Sequence, residues 1–172
     1  RQAAVVRLQE VASDLFSRLS DGGSELGLTY RPGSPASQGE VLEALVQGRR
    51  EDLRRGTTTL GPHRDDLELR LAERSLRRFG SQGQQRSAAL ALRLAEARVV
   101  GEGHGEGALV LLDDCFSELD PGRRERLVEI LGGWPQVFLT ATGMPEDPPP
   151  GATSWQVVSG TLRCLGRGAP GR

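Results

Sequence analysis

Two adjacent carboxylates, Asp113 and Asp114, close an apolar run in the stretch ALVLLDDCFSELD, residues 108–120. A buried strand that ends in two charges is costly unless something uses the charge. At the carboxyl end of a parallel strand, where ligands bind in such sheets, one carboxylate can hold Mg²⁺ through water and the next can orient an attacking water. A capped turn, with the aspartates bonded to backbone amides, explains the dipeptide alone equally well. The chemical reading gains because Ser117-Glu118-Leu119-Asp120 follows at a short fixed distance.

A second constellation is GSQGQQRSAAL, residues 80–90. Ser81 followed three residues later by Gln84 is a capping box, which by itself accounts for both residues in an ordinary helix. The other reading is an anion site. A Ser-x-Gly loop at a helix N-terminus offers free backbone N–H groups and a positive dipole end, and Gly83 lets the backbone come close to a phosphate. In GPHRDD, residues 61–66, His63 and Arg64 precede a strand; a general base, a phosphate contact and a plain turn all remain open. Arg49, Arg50, Arg54 and Arg55, with Arg74, Arg77 and Arg78, are candidate contacts to nucleic-acid phosphates. Against that stands a solvated helix face, since Glu51 and Asp52 interleave with the first group.

The elements that must position these residues can be read from spacing. Val5, Leu8, Val11, Leu15 and Leu19 recur at helical intervals over residues 3–19, and Gly22-Gly23 is a stop. Leu26 to Tyr30 fits a short strand, Pro32 to Gly39 a turn-rich linker, and Val41 to Val46 a second helix running on toward Arg55, where Gly56 breaks it. Leu67, Leu69 and Leu71 alternate with Glu68 and Arg70, the period of a strand buried on one face. A loop bearing Arg74, Arg77 and Arg78 leads to a long Ala/Leu-rich helix over Gln84–Val99, followed by the Gly-rich linker GEGHGEG. Ala108 to Leu112 reads as a central parallel strand covered on both faces. Asp120-Pro121 opens the next helix with an N-cap and an N1 proline, Gly132-Gly133 closes it, and Val137 to Thr140 is the next strand. Residues 108–140 thus form one βαβ unit, right-handed by the usual rule. A proline-rich loop at 143–151 precedes a hairpin of Gln156–Val158 and Thr161–Leu165, turning at Ser159-Gly160.

Composition bounds the possibilities. The chain has 172 residues, 37% hydrophobic and 26% charged, with formal net charge −1, as in a globular protein with no global basic field. No apolar run approaches the roughly 18 residues of a membrane span, and RQAAVVRLQE has no secretory apolar region. It enters a helical pattern directly, without Met, as does a piece of something longer. Cys115 and Cys164 with His63 and His104 lack the spacing of a zinc site, and a reduced cytoplasmic setting fits them. All 22 positive charges are arginine. Without lysine there is no GxxxxGK[ST] loop, so this chain alone is expected not to hold a nucleotide's β and γ phosphates in the P-loop manner.

The order SQGQQ, then LLDDCFSELD, then VFLTAT resembles the signature, Walker B motif, D-loop and following strand of the RecF/SMC branch of ABC-type ATPases. TTLGPHRDDLEL ahead of the signature is similar to the RecF family itself. The resemblance covers residues 56–142 well and the first part loosely. It implies an α/β ABC-type ATPase head lobe, a P-loop NTPase-like parallel sheet with flanking helices over residues 56–172, preceded by the end of a helical lobe over residues 1–55. By resemblance, Asp113 supports Mg²⁺ and Asp114 is the catalytic carboxylate. Ser81, Gln82, Gly83 and Gln84 match the signature that reaches the γ-phosphate of ATP on the other subunit, and Ser117 to Asp120 match the D-loop along the dimer interface. Gln82 stands where transporters have the first glycine, and Thr140-Ala141-Thr142 where they keep a switch histidine, which leaves the γ-phosphate sensor open. The implied function is that of an ATP-dependent DNA-binding protein of recombinational repair. It closes as a homodimer on gapped or single-strand/double-strand junction DNA, is released by weak DNA-stimulated ATP hydrolysis, and helps load a recombinase with RecR- and RecO-type partners. Two rivals are an SMC-like or other ABC head, which needs sustained heptads that residues 3–19 do not supply, and a scaffold without turnover, against which the retained carboxylates speak.

Overall fold

The computed structural model describes residues 1–20, 25–105, 107–117, 119–143 and 151–168. It divides into two compact units, residues 1–99 and 100–172. Gly22-Gly23, Glu118 and most of the proline-rich loop lie outside the described residues.

The first unit is built on a helix and a small antiparallel sheet. Helix α1 (Gln2–Leu19) buries Ala12, Leu15, Phe16 and Leu19, the stripe that a 3.6-residue period brings to one side. It packs on strand β1 (Leu26–Arg31). The Gln9 side chain fastens the two, its amide N–H donating to the Leu26 carbonyl at 2.7 Å and its carbonyl accepting from the Leu28 N–H. β1 pairs antiparallel with β2 (Asp66–Leu71), Leu26 opposite Leu71 through Arg31 opposite Asp66, and β2 pairs with the two-residue β3 (Arg74–Ser75). This pairing runs across the 55/56 division expected from the sequence.

Between β1 and β2 lies α2 (Gln38–Arg55), which starts inside the expected linker. Its start is set by a complete capping box. The Ser37 hydroxyl accepts from the Glu40 N–H, and the Glu40 carboxylate accepts in turn from Ser37. Gly56 ends it in the left-handed conformation at φ 67°. The loop expected before the signature is instead β3 and a short helix, α3 (Leu76–Phe79).

Helix α4 (Gln82–His104) is longer at both ends than the expected Gln84–Val99, and it takes in the first half of the Gly-rich linker. Close approach explains the buried Gly101. A Cβ there would lie 2.8 Å from the Ala108 nitrogen and 3.1 Å from the Gly107 carbonyl carbon, so glycine fits where the chain returns against the helix.

In the second unit, β4 (Leu109–Leu112) and β5 (Gln136–Leu139) pair in parallel, joined by α5 (Pro121–Leu131), the expected βαβ unit. β4 is not covered on both faces, however. Val110 is buried, whereas Leu109 and Leu111 are 52% and 69% exposed, with Phe138 of β5 at 54%. Burial alternates along the run instead, Leu109 and Leu111 being exposed and Val110 and Leu112 covered or partly covered. α5 buries Leu127, Ile130 and Leu131. β6 (Thr153–Val158) and β7 (Thr161–Arg167) form the terminal hairpin, longer than expected, with Ser159 and Gly160 at its turn in positive φ. Among the described residues no helix is long and apolar enough to cross a membrane.

Candidate functional site

The carboxylate pair stands where β4 ends. The parallel register sets Leu112 opposite Leu139, so the next residues along, Asp113 and Thr140, are neighbours. The Thr140 N–H donates to the Leu112 carbonyl at 2.9 Å, carrying the ladder one bond further. The Thr140 hydroxyl then donates to Asp113 Oδ1 and accepts from the Asp114 N–H at 3.0 Å. Both aspartates are exposed. Asp114 sits at φ 45°, left-handed for a residue with a Cβ. Its carbonyl is also engaged, accepting from the Ser117 hydroxyl at 3.0 Å and the Ser117 N–H at 3.4 Å. The turn after the strand is thereby held at both ends while the two carboxylates face solvent.

The stretch from Cys115 to Asp120 is anchored by apolar side chains. Phe116 and Leu119 are buried, whereas Ser117 and Asp120 are exposed. Asp120 caps α5, its Oδ1 accepting from the Arg123 N–H at 3.0 Å. That bond, followed by the Arg123 charge, holds its carboxyl below the usual carboxylate range. Cys115 is half-buried, and burial, reinforced by the Asp114 charge, pushes its thiol up to about 11. It is therefore a protonated and unreactive filler at neutral pH.

In the first unit, Ser81 and Gln84 form the capping box read from their spacing. Ser81 Oγ accepts from the Gln84 N–H at 3.2 Å, and Gln84 Oε1 accepts from the Ser81 N–H at 2.9 Å. Ser81 and Gln82 are exposed at the start of α4, with Gly83 and Gln84 partly covered. The Ser81 hydroxyl still has a proton to donate, since a cap uses only its lone pairs.

The GPHRDD segment is a turn organised by Asp65. Its Oδ1 accepts from the Gly33 N–H at 2.9 Å, and its Oδ2 from the Tyr30 hydroxyl at 2.7 Å and Arg1 at 2.8 Å. These bonds, led by that from Gly33, hold the Asp65 carboxyl below its ordinary value. The turn and Gly33 are in close contact, a Cβ at Gly33 falling 2.4 Å from the Arg64 carbonyl carbon. His63 is exposed, one ring nitrogen 2.9 Å from the Thr58 carbonyl oxygen. Sequence reasoning did not single out Asp65 as a hub, because its partners lie 32 to 64 residues away.

The arginines divide by partner. Arg54 and Arg55 both pair with Glu51, and Arg74 lies 4.6 Å over the Phe79 ring. Arg49, Arg50, Arg77 and Arg78 are exposed, and Arg78 lies near enough to Glu68 to help lower its carboxyl.

No protein-family model matches the chain. Individual relatives do. The chain is 44% identical over 151 residues to the DNA replication and repair protein RecF of Herpetosiphon aurantiacus, covering 87% of this chain and 39% of the relative. It is 47% identical over 137 residues to that of Moorella thermoacetica, covering 78% and 37%. A solved recombination mediator protein RecF with ATP, of the RecFOR pathway, superposes with a TM-score of 0.73 at 26% identity, over 95% of this chain and 45% of that one. An SMC ATPase structure at TM-score 0.53 and 14% identity shares the fold alone. The chain thus spans about two fifths of the length of the curated relatives it matches. At 44–47% identity over most of its length, and with a solved RecF superposing over 95% of it, the chain belongs to the RecF family, as a portion of an ABC-type ATPase head.

Proposed function

We propose that this chain supplies, within a family-length protein, the signature, the catalytic carboxylates and the D-loop of an ATP-driven dimer that closes on DNA in recombinational repair. The observation that carries the proposal is the Asp113-Asp114 pair, presented to solvent at the carboxyl end of a parallel strand. Asp113 fits a Mg²⁺ role. One oxygen takes the Thr140 hydroxyl, the carboxylate is exposed, and a Mg²⁺ ion usually takes only one or two carboxylates beside waters and nucleotide phosphates. The ion, when bound with ATP, neutralises charge on the phosphates. Asp114 orients the attacking water and accepts its proton. Ser81, Gln82, Gly83 and Gln84 face the γ-phosphate held by the partner subunit, where the α4 N-terminus favours negative charge. Ser117 and Asp120 line the interface between subunits. Weak DNA-stimulated hydrolysis then reopens the dimer.

DNA is the partner surface, in gapped or junction form. The exposed Arg49, Arg50, Arg77 and Arg78 are better placed for phosphates than Arg54 and Arg55, which share Glu51, or Arg74, which lies over a ring. RecR- and RecO-type proteins in the cytoplasm are the further partners, and recombinase loading is the outcome.

Ser81→Asp in a family-length protein tests this reading. Aspartate caps a helix as well as serine, so the fold and the melting temperature are kept if Ser81 is only a cap. Facing a phosphate, the new carboxylate sets like charges together. Sedimentation with and without Mg-ATP should then show ATP-dependent dimerisation weakened at least about tenfold, or 1.4 kcal/mol, with DNA binding lost beside it. A folded Ser81→Asp protein that dimerises on ATP like its parent would overturn the signature assignment.

A further inference from the structure

We infer that Thr140 is a positioning residue for both carboxylates, coupling the end of β5 to the Asp113 side chain and to the Asp114 backbone. The inference rests on the ATPase reading above and extends it to a residue beyond the two carboxylates.

Three observations bear on it. First, the parallel register that pairs Leu112 with Leu139 brings Thr140 beside Asp113, and the Thr140 N–H to Leu112 carbonyl bond fixes it there at 2.9 Å. Second, the one hydroxyl serves two groups at once, donating to Asp113 Oδ1 and accepting from the Asp114 N–H. A hydroxyl is suited to this because it combines one donor with acceptor lone pairs, and the β-branched side chain restricts χ1 so that the oxygen stays aimed. Third, the held backbone is strained. Asp114 adopts φ 45°, a conformation a non-glycine residue keeps only when its surroundings insist. Ser117 binds its carbonyl and Thr140 its N–H, so release of either lets the turn relax toward ordinary φ and swings the Asp114 carboxylate away.

Thr140→Val keeps the branched shape and removes the hydroxyl, Thr140→Ala removes it without filling its space, and Thr140→Ser restores the oxygen. In family-length protein without nucleotide, hydrogen exchange read on the peptide covering residues 111–117 should accelerate in Thr140→Val and return to the parental rate in Thr140→Ser. With Mg-ATP, kcat should fall by about 10–100-fold in Thr140→Val, as outer partners of a ligand carboxylate typically do. More Mg²⁺ should be needed for half-maximal rate, while the KM for ATP stays within about threefold. Thr140→Ser should recover kcat. If Thr140→Val does not fold, Thr140→Ala carries the same expectations.

Exchange reports the bonds without any turnover, which separates two failures. Normal exchange and normal kcat in Thr140→Val, beside an inactive Asp113→Asn control, overturn the Thr140 assignment alone. An Asp113→Asn protein that hydrolyses ATP at the parental rate overturns the carboxylate reading, and the effect on turnover with it. Equal loss in the Val and Ser variants, tracking a fall in melting temperature, reduces Thr140 to a structural residue and also overturns the inference.

Discussion

Two glycines near the end of α4 should respond to the same substitution with opposite sign. Gly101 and Gly103 sit two residues apart in the helix that ends at His104. Glycine inside a helix costs about 0.5–1 kcal/mol relative to alanine, so on propensity alone both changes to alanine stabilise. At Gly103 nothing lies within 4 Å of the new Cβ, and the full gain is expected. At Gly101 the Cβ meets the Ala108 nitrogen at 2.8 Å, and the carbonyl carbon and Cα of Gly107 at 3.1 and 3.2 Å. These are backbone atoms, and they belong to the segment that feeds β4. They cannot rotate away, so overpacking of about 1–3 kcal/mol applies. The net effect of Gly101→Ala, after subtracting the helical gain, is a loss of up to about 2.5 kcal/mol. For a chain of this size about 2–4 °C accompanies each kcal/mol. Thermal melts of the two variants should therefore move apart, Gly103→Ala upward by about 1–4 °C and Gly101→Ala downward by up to about 10 °C. Urea titrations would separate a true stability change from a change in the unfolded state. If Gly101→Ala stabilises as much as Gly103→Ala, residues 107–108 do not lie against the helix, and α4 stops where the glycine-rich linker was expected to begin.

Two further predictions concern charge. In the family-length protein Asp114→Asn should retain Mg-ATP binding and accumulate an ATP-bound dimer with slowed hydrolysis. Asp113→Asn should also raise the Mg²⁺ requirement, and parental turnover in both would be incompatible with their assigned roles. Asp65 has its carboxyl held below the ordinary 3.8 by Gly33, Tyr30 and Arg1, so the unfolded chain binds its proton first. The stability it contributes is present above pH 3.8 and lost as pH falls through the lowered folded value. The melting-temperature advantage over Asp65→Asn should accordingly be largest near neutrality and shrink below pH 3.8, and a constant gap across that range would remove Asp65 from its hub role.

How far the sequence could be read depends on whether each feature is local. The helical stripe of α1, the alternation in β2, and the Asp120-Pro121 start of α5 are written in neighbouring residues, and the elements form there. So is the capping pair of Ser81 and Gln84, and that of Ser37 and Glu40, which moves the start of α2 into a stretch otherwise full of turn residues. The pairing of β1 with β2 joins residues some 35 to 45 positions apart, and no local period encodes it. In the candidate site, the spacing around Ser81, Asp113, Asp114 and Ser117 leaves capping and chemistry both open, and it is the family resemblance that joins these residues. The Thr140 bonds are not visible in the sequence, because they depend on which residue of β5 falls beside Asp113, a register known only once the strands are paired. Likewise the Gly101 contact requires knowing that the chain doubles back at Gly107, which takes φ 74°.

The expected burial of β4 fails for a reason that bears on function. A near-continuous apolar strand is the mark of a parallel sheet covered on both faces, yet Leu109 and Leu111 on β4, with Phe138 on β5, face outward. On the terminal hairpin Val157 and Leu162 pair across the strands, and both are exposed beside Trp155. Such faces are stable when a further layer covers them, and the relatives are long enough to contain one, since the chain matches only 37–41% of the first three curated ones. The carboxylate turn does not share this dependence. Asp114 is fixed by Thr140 and Ser117, Asp120 by Arg123, and the loop between by buried Phe116 and Leu119. All of these partners lie within residues 100–172. The geometry of the Asp113-Asp114 turn is therefore built locally, by partners within the same unit, whereas the exposed apolar faces of β4 and of the hairpin are not closed by it.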